Sequence, residues 1–71
     1  MNTEIQRTNE SDLYAVMVEG DVYGNDNAIG WLEYNGTGMW EWESDDGSLS
    51  GKETDLHSAR SALVEAIEAA A

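Results

Sequence analysis

The sequence predicts an α+β fold, a small antiparallel β-meander of three to four strands with one C-terminal amphipathic helix packed on one face. Three observations predict it. Short β-branched and aromatic runs are separated by clusters of Gly, Asn and Asp, the pattern of strands joined by tight turns. The dipeptide Asn35-Gly36 sits between two such runs, where it favours a hairpin turn because both of its central positions need positive φ. From residue 56 the apolar residues change to spacings of three and four, which marks one face of a helix.

Residues 1–12 are polar apart from Met1 and Ile5 and are expected to form a flexible N-terminal tail, leaving residues 13–71 as a single α+β domain. Leu13 to Glu19 reads as the first strand, with Tyr14, Val16 and Val18 on one face. Gly20 to Asn27 reads as a loop, and its Tyr23 is a candidate contact residue. Ile29 to Tyr34 and Met39 to Glu43 read as the two arms of a hairpin. A turn at Asn35-Gly36 places Trp31 opposite Trp40, and a turn at Gly36-Thr37 places it opposite Trp42. Either two-residue register keeps Ile29, Trp31, Trp40 and Trp42 on one face and sends Glu41 and Glu43 to the other, whereas a three-residue loop breaks that parity. Ser44-Asp45-Asp46-Gly47 signals a second turn, and Ser48 to Glu53 a short fourth strand with Leu49 inward. Asp55 is suited to cap a helix whose stripe is Leu56, Ala59, Leu63, Ile67 and Ala70. At about 14 residues such a helix is marginal alone, so it is expected to pack on the tryptophan-bearing face of the sheet.

The 71 residues include only 12 Leu, Ile or Val and no Phe, close to the composition of chains that stay unfolded. Three Trp, three Tyr and three Met supply the large apolar area that a folded core needs. Fifteen Asp and Glu face three basic residues, Arg7, Lys52 and Arg60, for a formal charge of -12 at pH 7. Binding to nucleic acid draws on Lys and Arg displacing counterions, so no direct nucleic-acid contact is expected. Anionic membranes are disfavoured for the same reason, and a cationic partner is favoured. Without Cys there is neither a disulfide framework nor a thiolate metal site. No apolar run reaches the roughly 20 residues of a membrane span, and a cytoplasmic location is expected.

Chemistry-bearing groups are sparse. His57 is the only histidine, with Ser58 and Ser61 nearby, but no oxyanion element or phosphate cradle accompanies it, and a solvent-facing place in the first helical turn explains it. The oxygen-rich stretch Asp21 to Asn27 lacks the ligand alternation of a calcium loop, and Asp45 with Asp46 is adequately explained as a turn. The expectation is therefore a non-enzymatic protein with no metal and no cofactor. Along a strand, residues two apart share a face at about 7 Å, so Glu41 and Glu43 form a charge row that Asp45 and Asp46 extend, with Glu33 on a neighbouring strand. Tyr34 joins them as a candidate contact residue, since Tyr is common at interfaces.

In its size, single compact α+β unit and carboxylate-dominated surface, the chain resembles the small acidic inhibitors of phages and mobile elements, including DNA mimics and anti-CRISPR proteins. That resemblance is one of composition. The order of hairpin, short strand and helix also looks like the three-strand-plus-helix DNA-binding domains of integrase arms and plant AP2 factors. Where their sheet carries Arg and Lys, the matching positions here hold Glu33, Glu41 and Glu43. The resemblance implies an antagonist of a basic nucleic-acid-binding protein, and the charge row and strand pattern make Glu33, Tyr34, Glu41, Glu43, Asp45 and Asp46 its expected contact residues. An interaction or structural module, with homodimerisation through an unpaired edge strand and acidity serving solubility, is the other expectation.

Overall fold

The structure, a computed structural model, describes residues 2–18 and 28–70. The predicted loop from Gly20 to Asn27, with Tyr23 and its oxygen-rich stretch, lies outside those residues. Five strands, β1 (Thr3–Arg7), β2 (Leu13–Val18), β3 (Ala28–Tyr34), β4 (Trp40–Ser44) and β5 (Ser50–Glu53), precede one helix, α1 (Leu56–Ala70). They form a single antiparallel sheet in the order β1-β2-β3-β4-β5. The α+β meander is as predicted, with five strands rather than three or four. The added strand is β1, from the segment read as a tail. Its one apolar residue, Ile5, is paired with Val16 and packs against the core, and an edge strand that buries a single side chain leaves little hydrophobic signal in the sequence. Among the described residues no helix is long and apolar enough to cross a membrane.

The β3–β4 hairpin does not take either two-residue register. Tyr34 pairs with Trp40 and Leu32 with Trp42, and the Asn35 N–H donates to Met39 O at 3.0 Å, which leaves a three-residue loop, Gly36-Thr37-Gly38. Gly36 and Gly38 both have positive φ, 84° and 94°, a conformation that costs glycine little. Asn35 Oδ1 accepts from Thr37 N at 2.8 Å and from Thr37 Oγ1 at 2.7 Å, so the side chain holds the loop in place of a backbone turn. An odd loop reverses the parity of one arm. As a result Trp31 faces away from Trp40 and Trp42, correcting the expectation that the three share a face.

On the helix side, Leu32, Trp40 and Trp42 join Val16, Ala59 and Leu63. Val16, Leu32, Ala59 and Leu63 are fully buried, and burial of each large aliphatic side chain stabilises by about 1.5–3 kcal/mol. Leu63 of the helix packs over Gly30, where a Cβ would lie 2.7 Å from Leu63 Cδ2 and would also strike the Glu43 carbonyl. Only glycine admits Leu63 there. Gly51 plays the same part for Trp42, whose ring occupies the space a Cβ would need, at 2.6 Å. A bulge between Val16 and Met17 inserts Ile29 as an extra residue on β3, and Ile29 packs against the core.

Asp55 caps the helix as predicted. Its Oδ1 accepts from Ser58 N at 2.8 Å and its Oδ2 from Ser58 Oγ at 3.0 Å. Those bonds, the backbone one first, hold the Asp55 carboxyl below its usual range.

The register yields a stability test. Leu63→Ala should lower the unfolding free energy by about 2–5 kcal/mol, whereas Trp31→Ala, on the opposite face and 39 % exposed, should cost much less than Trp42→Ala. Urea unfolding midpoints measure both, and equal losses at Trp31 and Trp42 would contradict the three-residue loop.

Candidate functional site

The face of the sheet opposite the helix carries the acidic residues. Cross-strand pairing aligns Leu13, Glu33, Glu41 and Lys52 in one row and Ala15, Trp31, Glu43 and Ser50 in the next. Between them lies a concave patch of about 550 Å³ lined by Leu13, Trp31, Glu33, Glu41, Glu43 and Lys52 among others. Glu33, Glu41 and Glu43 are all exposed. Glu33 and Glu41 stand directly opposite each other, which brings their Cβ atoms to about 4.5–5.5 Å and is destabilising for like charges. Lys52, across from Glu41, is the one basic residue on this face. Arg7 pairs with Tyr14 on the helix side of the sheet and Arg60 belongs to α1.

The other predicted site residues lie elsewhere. Tyr34 falls on the helix side, where its ring centroid is 5.3 Å from that of Trp40, which in turn lies 5.7 Å from Tyr14. These tilted aromatic pairs fasten one end of the sheet. Asp45 and Asp46 occupy the turn after β4, at the rim beyond Glu43, and line a depression of about 300 Å³ with Ile29, Leu49 and Ile67 near the end of the helix. Asp46 organises its own turn. Its Oδ1 accepts from Ser48 N at 2.9 Å, from Ser48 Oγ at 2.7 Å and from Ser44 Oγ at 2.7 Å. These bonds, led by that from the Ser48 backbone, hold its pKa down to about 2.

Trp31 is the residue of this face that the sequence did not identify. Read as core, it projects into the concave patch because of the loop parity. Two glycines bracketing Thr37 were the available signal, since each permits a positive φ and together they allow a longer loop than Asn-Gly alone.

His57 lines a shallow depression of about 350 Å³ with Glu53, Ser58, Ser61 and Glu65. The Ser58 hydroxyl is occupied by Asp55, which leaves it unsuited to act as a nucleophile for His57. Among the described residues no three His, Asp or Glu side chains converge in a way that could hold a metal ion.

Comparison with protein-family models, with curated proteins and with solved structures found no match.

The Asp46 turn predicts a pH dependence with a definite sign. Because the folded pKa, about 2, lies below the ordinary 3.8, the turn's contribution is present above pH 3.8 and lost as pH falls toward 2. The stability difference between the parent and Asp46→Asn should therefore shrink across that window, as followed by thermal unfolding at a series of pH values. A difference that stays constant from neutral pH down to pH 2 would show that the carboxylate does not hold the turn.

Proposed function

We propose that the protein is a non-enzymatic acidic inhibitor, acting in the cytoplasm, that binds a basic nucleic-acid-binding protein through the carboxylates of its open sheet face. It acts in the manner of the DNA-mimic and anti-CRISPR inhibitors that it resembles in composition. The observation that carries the reading is the placement of Glu33 directly opposite Glu41, with Glu43 two residues further along β4 on the same face. Folding alone does not favour that arrangement, since like charges opposed across a strand pair destabilise it. A surface that keeps this cost and has Lys52 as its only cation supports attraction of a cationic groove, with the glutamates standing in for phosphates.

Two results are expected. At low ionic strength Glu33→Gln, which removes the like charge opposite Glu41 and leaves the Glu41–Lys52 pairing in place, should raise the thermal midpoint, and the gain should diminish as salt is added and the Debye length contracts to about 8–10 Å. A fall in the midpoint would show that Glu33 is bound by a stabilising partner within the fold.

For binding, the immobilised protein should retain nucleic-acid-binding proteins from a bacterial lysate. Added DNA or high salt should release them, and the variant E33Q/E41Q/E43Q should not retain them. Retention of the same proteins by the parent and the triple variant would remove the acidic face from the mechanism.

A further inference from the structure

We propose that the open face is a receptor for arginine side chains. An arginine-rich segment of the partner protein lies across it and stacks a guanidinium on the Trp31 indole beside the carboxylates of Glu33 and Glu43. This rests on the reading of the acidic face as a protein-binding surface, and it specifies what that surface recognises.

Trp31 and Val18 are the large apolar side chains that the described residues leave exposed, at 39 % and 37 %. Trp31 alone of the two lines the concave patch. It stands between Ala15 on β2 and Glu43 on β4, with Glu33 about 7 Å further along its own strand. The indole therefore sits within a set of acceptors. Its π face attracts a cation, and the neighbouring carboxylates attract the same cation by charge.

A guanidinium meets both demands at once, because it is planar, weakly hydrated and carries its donors in a fork, whereas an ammonium is a compact and strongly hydrated point charge. Leu13, at the β2 end of the Glu33 row, provides apolar surface for the aliphatic stem, which arginine buries while keeping its head in water.

Other occupants fit less well. A nucleobase stacked on Trp31 would bring phosphates against Glu33, Glu41 and Glu43. A second copy of the chain would bring its own three glutamates to the same face, with only Lys52 on each side to offset them.

The test uses oligo-arginine and oligo-lysine peptides of equal length and the isotope-labelled full chain. Nuclear magnetic resonance titration reports both affinity and the residues perturbed. Both peptides carry cations that an aromatic face attracts, and an exposed contact of this kind is worth about two- to five-fold in affinity, so the arginine peptide should bind tighter than the lysine peptide by up to that factor and should shift the Trp31 indole N–H. Trp31→Ala should weaken the arginine peptide more than the lysine peptide and so reduce the preference, and Trp31→Phe, which keeps a ring, should preserve part of it.

Equal affinity for the two peptides, or perturbation confined to the helix side, would overturn the arginine receptor. If that binding still disappeared in E33Q/E41Q/E43Q, the acidic-face function would stand without it. Binding of both peptides undiminished by the triple substitution would overturn both.

Discussion

The three-residue loop that sets Tyr34 opposite Trp40 is the constraint on which the rest of the molecule depends. Because strand side chains alternate with a period of two, that one pairing assigns every residue of β3 and β4 to a face. It places Leu32 with Trp40 and Trp42 under the helix, sets Gly30 beneath Leu63, and sends Trp31, Glu33, Glu41 and Glu43 to the open side. With a two-residue loop Trp31 would share the face of Trp40 and Trp42, and Gly30 and Leu32 would lie on the other.

The core that results suits a chain with few aliphatic residues. Large rings take the place of missing Leu and Phe, and two glycines provide the room. Trp42 lies against Gly51 at the cost of leaving its Nε1–H buried without an acceptor, a penalty of about 1–3 kcal/mol. Gly30 lets one helix of 15 residues set Leu63 against the sheet, where the helix packs chiefly on β4 and β5. The outer face mixes the exposed Glu33, Glu41 and Glu43 with Trp31 and with Ala15 and Met17, which are buried at its β2 side.

The carboxylates divide into those that support the fold and those that work against it. Asp55 and Asp46 accept backbone and hydroxyl hydrogen bonds, and both have lowered pKa values as a consequence. Glu33 and Glu41 oppose each other across a strand pair, with Lys52 on the far side of Glu41. The first group explains part of the acidity by structure. The second group, on the open face with Trp31, is the part that the proposed partner recognition uses.

The sequence by itself determined the fold class, the helix with its Asp55 cap and Leu63 stripe, and the presence of the β3–β4 hairpin. These depend on local periodicity and turn chemistry, which a short window of residues contains. It also indicated Glu41 and Glu43 as one row of surface charge, because their alternation along β4 is local too, whereas Glu33 joins them only through the three-residue loop. Tertiary structure alone decided that β1 joins the sheet, since Ile5 is a weak signal until Val16 is beside it. It alone decided the hairpin register and hence the face of Trp31 and Tyr34, because both parities satisfy the local pattern. The glycines at 36 and 38 admit the longer loop, and the fit of Leu63 onto Gly30 that goes with it brings together residues 33 positions apart in the chain.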